Sequence, residues 1–259
     1  MLVLLPPSEG KTAPESGPRL DLGSLSFPGL TAARKRVQSA LVTMCRGDAA
    51  SAANILDLGP TLHELVRANA AIRTAASGEA ITVYTGVLYE ALDVATLARP
   101  ARRRLDTSVA VASALFGLLH PRDLIPAYRL SADTVMPTVG ALRTVWSAPV
   151  GAALEATPGP ILDLRSTAYA GLAPIPQTVA HRALIGRVLL DRHGRRSVVS
   201  HHNKATKGRL VRGLVTAGPL PRSVNGLLES ISELGYGVEV HESDDPRRPA
   251  RLDIVVTET

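Results

Sequence analysis

Short apolar runs of strand length, interleaved with helix-patterned stretches, constrain this chain more than any other feature. LVLLP (2–6), VAVASALFG (109–117) and ILDLRS (161–166) read as strands, as do ITVYTG (81–86), SVVSHH (197–202), GVEVHES (237–243) and LDIVVTE (252–258). Between them, residues 31–45 carry Val37, Leu41, Val42 and Cys45 on one helical face. Residues 61–76 read as a helix with Thr61 as N-cap and Glu64 completing a capping box. Further helices are expected over 96–105, 140–156 (with Trp146), 203–217 and 223–235, and a loop over the Pro-, Gly- and Ser-rich residues 13–29. The order mixes strands and helices without a regular βαβ rhythm. It predicts an α/β or α+β protein with one mixed central sheet flanked by helices. No linker interrupts it, so residues 1–259 are expected to form a single domain.

Composition narrows the setting. The single cysteine, Cys45, excludes an intrachain disulfide and argues against a cysteine-based zinc site. No apolar run reaches the roughly 18 residues of a membrane span, and MLVLLPPSEGK does not have the order of a signal peptide. A cytoplasmic protein is expected. The net charge is +6, unevenly spread: residues 164–228 hold eleven Lys and Arg against the single acid Asp191. That asymmetry fits an acidic partner, either nucleic acid or a phosphorylated small molecule. It also fits arginine used simply for solubility.

Signatures for dinucleotide, P-loop, zincin and serine-hydrolase chemistry are absent. PPSEGKT (6–12) is a faint echo of a phosphate loop, but it lacks the upstream glycine. It does follow a strand, where open α/β sheets bind ligands, so Ser8 and Lys11 are candidate anion contacts. His201 and His202 are adjacent and would point to opposite faces of a strand, so they cannot easily share one metal, and His193 or His241 could join one of them only through the fold. No metal and no cofactor is expected. Asn203 or Ser200 is a candidate helix cap. Lys204 and Lys207 share a helix face, and Lys204 is expected in the first turn, where its charge is unfavourable unless an anion is present.

Several segments together resemble one family. They are the strand followed by PPSEGK; VYTGVLYEAL (83–92); ALFGLLHPRDLIPAYRL (114–130); Trp146 in a helix; ILDLRSTAYAGL (161–172); and SVVSHHNKATKGRLVRGLV (197–215). In this order they are similar to the YaaA family, named for peroxide stress. His201 and His202 depart from the family pattern. The resemblance implies a cytoplasmic protein of the peroxide response that limits damage from intracellular iron. It implies a basic cleft, a helix-hairpin-helix-like element placed here on 114–130, and binding of duplex or distorted DNA. A purely structural alternative for 114–130 pairs Asp123 with Arg129.

The candidate nucleic-acid or anion contacts are Ser8, Lys11, Arg122, Arg129, Arg165, Ser166, Tyr169, Asn203, Lys204, Lys207, Arg209 and Arg212. The alternative is an enzyme, a lyase or transferase, acting on an anionic small molecule through Ser8, Lys11, Arg165, Tyr169 and Lys204, with Lys204, Lys11 and Tyr169 the catalytic candidates. Lysine among other cations can serve as base or nucleophile. Aromatic residues are 3% of the chain, too few to build stacking platforms for single strands.

Overall fold

The computed structural model describes residues 1–59, 64–192, 195–197 and 200–258. In chain order the elements are β1 (Leu2–Leu5), α1 (Thr31–Arg46), α2 (Ala49–Ile55), α3 (Glu64–Ala70), β2 (Gly78–Glu79), α4 (Ala80–Val83), α5 (Val87–Leu92) and α6 (Arg99–Ser108). Then come β3 (Val109–Ser113), β4 (Gly117–Leu119), β5 (Leu124–Ile125), β6 (Val135–Met136), β7 (Gly140–Ala141), α7 (Leu142–Ala156), β8 (Ile161–Asp163) and α8 (Thr167–Leu172). The last are β9 (Ala183–Arg192), β10 (Arg195–Ser197), α9 (Ser200–Ala217), α10 (Val224–Glu233), β11 (Gly237–His241) and β12 (Ala250–Glu258). No helix among the described residues is long and apolar enough to cross a membrane.

The central sheet is mixed, as its sequence pattern implies. Its order is β11-β12-β9-β8-β1-β3-β4, with β10 added against β9. The five strands from β12 to β3 run parallel, and β4, β10 and β11 are antiparallel additions. Every residue of β1 and β3 is buried, which explains why these strands are apolar without alternation. From β1 the chain crosses to β3 on one side and later returns to β8 on the other. The carboxyl ends of β8, β1 and β3 therefore meet at a topological switch point, the place where open α/β sheets leave a crevice.

Two contacts explain motif residues as packing. Trp146 is fully buried against Gly117 and donates from Nε1 to the Ala114 carbonyl at 2.8 Å. Gly117 has φ +75°, and a Cβ there would lie 2.7 Å from the indole. Gly208 lets α9 press onto α5: a Cβ would fall 2.2 Å from the Leu88 carbonyl oxygen.

Four expectations need correcting. ITVYTG is not a strand. Residues 80–83 form the short helix α4, and Tyr84 then pairs with Lys11 in an isolated bridge. Residues 114–130 hold β4, β5 and turns, with no helix, so the helix-hairpin-helix placement fails. Asp123 and Arg129 do not pair. Asp123 instead accepts from the Ser26 amide and hydroxyl and from the His120 amide, which closes a buried loop. SVVSHH is not a continuous strand: β10 ends at Ser197 and α9 already begins at Ser200. Lys204 thus lies beyond the first turn, and the dipole argument for an anion there lapses. The long strand β9 escaped the sequence reading. Thr61, with its capping box, and His193 lie outside the described residues, as do the side chains of Ser200, His201 and His202.

Candidate functional site

The loop after β1 is stitched to the segment after α4. The Thr12 amide donates to the Val83 carbonyl at 2.9 Å, and the Thr85 amide donates to the Ser8 hydroxyl at 3.0 Å. Ser8 in turn donates to the Gly10 carbonyl. This holds the Lys11 ammonium inward, donating to the Ser8 and Glu9 carbonyls at 2.9 and 3.3 Å. It lies 4.4 Å from the centre of the Tyr128 ring and 5.5 Å from that of Tyr84.

Four of the five tyrosines surround this lysine. The Tyr84 and Tyr128 hydroxyls are 2.9 Å apart, and the Ser113 hydroxyl at the end of β3 is 2.7 Å from that of Tyr128. Tyr89 stacks on Tyr84 and donates to the Pro6 carbonyl at 2.8 Å. Tyr169, on α8, completes the group. Burial raises all four phenols above their ordinary value, so they remain protonated donors at neutral pH.

Lys11 faces a cavity of about 610 Å³. Ser8, Glu9, Arg129, Ser131, Asp133, Ser166 and Tyr169 line it, together with Ile55, Leu56 and Asp57. Arg129 reaches it from the irregular segment after β5. Asn69 grips the backbone of residue 129 from both sides, accepting from its amide at 2.9 Å and donating to its carbonyl at 2.7 Å. The Arg129 side chain pairs with Glu9 at 3.2 Å. Glu9 is 82% exposed and Arg129 only 17%, so the carboxylate end of the pair is the easily displaced one. Burial, then the Arg129 charge, pulls the Lys11 pKa from 10.5 to about 7, with Glu9 opposing. The tyrosine faces also favour the ammonium, by about 1 kcal/mol, too little to offset the rest.

The cavity brings together Ser8, Lys11, Arg129, Ser166 and Tyr169, five of the sequence candidates. The others lie elsewhere. Arg165 is turned inward. Its Nε and Nη2 grip both oxygens of Asp163 at 2.8 and 2.7 Å, and Nη1 donates to the Ala173 carbonyl at 2.8 Å. Lys207 is buried and donates to the Leu164 carbonyl at 2.8 Å, tying α9 to the end of β8. Arg212 caps the end of α5 through the Leu92 and Asp93 carbonyls at 3.0 and 2.7 Å. Arg122 lies 3.4 Å from Asp106 and 3.6 Å from Glu79. Asn203 has a buried Oδ1 without a hydrogen-bond partner, while Lys204 and Arg209 are exposed on α9; none of the three lines the cavity.

The basic excess of residues 164–228 is therefore largely structural. Arg182 serves the Gly159 and Leu154 carbonyls, Arg187 pairs with Asp253, and Arg196 pairs with Asp191 and Glu239. The cavity itself mixes Lys11 and Arg129 with Glu9, Asp57 and Asp133 and is not a positively charged cleft. Among the described residues one group has metal-like spacing, Glu239, His241 and Asp253, on the β11–β12 edge. Arg187 at 2.7 Å, Arg251 at 3.4 Å and Arg196 at 2.6 Å already engage its carboxylates, so it reads as an ion-pair lattice.

The comparisons with known proteins span the cavity residues, and the family profile stops short of β12. The profile of the family described as peroxide stress protein YaaA matches residues 1–240. The chain belongs to the YaaA family. A UPF0246 protein of Streptomyces coelicolor is 46% identical over 100% of this chain and 99% of its own length. UPF0246 proteins of Corynebacterium efficiens and Corynebacterium glutamicum are 39% and 37% identical over 99% of this chain and 100% of theirs. YaaA membership supports a stress-response role. Sequence reading missed Glu9, Asn69, Tyr84, Tyr128 and Asp133 at this site. Glu9 adjoins Ser8, and the tyrosines of VYTG and PAYRL lie within the family motifs, but only the fold faces them toward Lys11.

Proposed function

We propose that this YaaA-family chain serves the peroxide response through chemistry on a small anionic molecule in the Lys11 cavity. One observation carries the reading: Lys11 is held inward against two carbonyls and two tyrosine rings and faces a mixed-charge cavity at the switch point of the sheet, beside Arg129 and Tyr169; burial there draws its pKa down to about 7. Such a lysine can take or give a proton, or attack as a free amine, at cellular pH. Tyr169 and Ser166 supply hydroxyl donors, and Arg129 supplies the anion contact. The mixed charge argues against a track for a nucleic-acid backbone, which calls for a run of cations. The effect on iron implied by the family resemblance is then indirect, through the molecule consumed or produced.

A DNA-binding role would instead draw on Lys204, Arg209 and Arg222, which are exposed. The two readings separate in cells that lack the native copy and are challenged with hydrogen peroxide. Lys11→Met and Lys11→Arg are expected to lose protection alike, because arginine stays protonated, while Lys204→Ala with Arg209→Ala keeps it. Protection that survives Lys11→Arg but falls with the α9 pair would replace the proposal with DNA binding. Duplex affinity falling with salt at about −0.9 per phosphate neutralised would accompany that outcome.

A further inference from the structure

Resting on the cavity reading above, we infer that Lys11 forms an imine with a small 2-oxo acid, Arg129 holding its carboxylate and Tyr169 relaying the proton. Three features of the geometry converge. A neutral lysine amine has two N–H bonds, and two carbonyls, those of Ser8 and Glu9, stand at donor distance. The remaining tetrahedral direction is the lone pair, so the environment that orders the amine also leaves its nucleophilic electrons unused. Next, Glu9 rests on Arg129 although four-fifths of its side chain is in water. An exposed carboxylate on a half-buried guanidinium marks where a ligand carboxylate would go, and its displacement costs little. Finally, Tyr169 lines the same cavity with a phenol that stays protonated, the donor that loss of water requires.

The step balances without a further reactant. The Lys11 nitrogen bonds to the keto carbon, and the C=O π pair moves to oxygen, which takes a proton from the Tyr169 phenol. The nitrogen gives its own proton back to the phenolate. The C–O bond then breaks, the hydroxyl leaves with a second proton as water, and N=C remains. Both amine hydrogens end on the water. The chain has four lysines, Lys11, Lys35, Lys204 and Lys207. Lys35 and Lys204 are exposed, and Lys207 is buried on the Leu164 carbonyl, so site selectivity is readable by peptide mapping.

The test incubates the full chain with pyruvate at neutral pH, reduces it with borohydride and maps the adduct. The expected result is a reduced adduct confined to the Lys11 peptide. It should be absent in Lys11→Arg and unchanged in Lys204→Arg. Arg129→Gln should lower labelling by pyruvate about tenfold or more relative to labelling by acetaldehyde, the worth of a charge-assisted contact; acetaldehyde, which lacks the carboxylate, reports the change in the amine alone, and equal losses with both probes overturn the carboxylate contact. Adduct spread over Lys35 and Lys204 in the unaltered chain overturns the inference. So does the absence of any adduct while the Lys11 amine still titrates near neutrality, which leaves the cavity reading standing. An amine that titrates as an ordinary lysine overturns both.

Discussion

Single residues here are governed by what burial does to a charge. Lys11 is the case with consequences for stability. Between about pH 7 and 10.5 its side chain holds a proton in the unfolded chain and not in the folded one. Raising the pH through that window therefore favours the fold, and below it the folded chain bears the full cost of a desolvated ammonium. Lys11→Met removes that cost. The variant should gain stability over the parent most below about pH 7, by on the order of a few kcal/mol at the upper end, with the gain shrinking to nothing as the pH approaches 10.5. Denaturant unfolding across pH reads this directly, and a pH-independent difference would contradict it. Arg34 shows the opposite solution. It is fully buried on α1 and spends its donors on the carbonyls of Ser26, Phe116 and Leu118, at 2.7, 2.9 and 2.7 Å. Burial lowers its pKa to about 10, still protonated at neutral pH.

Elements are placed by close backbone approach and by arginine and lysine struts at strand ends. The α5–α9 contact depends on Gly208, because any side chain there meets the Leu88 carbonyl and the Leu92 amide. Gly208→Ala should force the helices apart and cost about 1–3 kcal/mol, the usual range for overpacking, measured as a lowered denaturant midpoint; no change would contradict the packing account. The sequence made α1, α7, α9, α10 and the apolar strands legible, because their patterns match their burial. It misled at 81–86, where ITVY is β-branched and aromatic yet caps off as a helix, so that Tyr84 can turn to Lys11. It also misled at 197–202, where a strand-like composition is shared between β10 and the start of α9. β9 was missed because ALIGRVLLDR carries a glycine and two arginines, and Arg187 is satisfied only by Asp253 on the neighbouring strand.

At the scale of the whole molecule, the switch point of the sheet decides which candidates share a site. Ser8 and Lys11 follow the end of β1 and are placed by that rule from sequence, and Ser166 and Tyr169 follow the end of β8. Arg165 follows β8 too, and Lys207 is a candidate for sharing a helix face with Lys204, but the sequence could not tell a cation facing solvent from one holding Asp163 or the Leu164 carbonyl. The same ambiguity produced the expectation of a basic cleft: eleven cations in one quarter of the chain looked like an anion surface, and most of those described serve as carbonyl caps and ion pairs. What remains facing the cavity is a lysine, an arginine and three acids, the composition of a small-molecule pocket. The central claim is thus the state of one amine. Competitive acetylation of the intact protein over a pH series, read at the Lys11 peptide against Lys35, measures it. The account predicts a midpoint for Lys11 near 7, with Lys35 close to the ordinary lysine value of about 10.4. A Lys11 midpoint that coincides with that of Lys35 would contradict it.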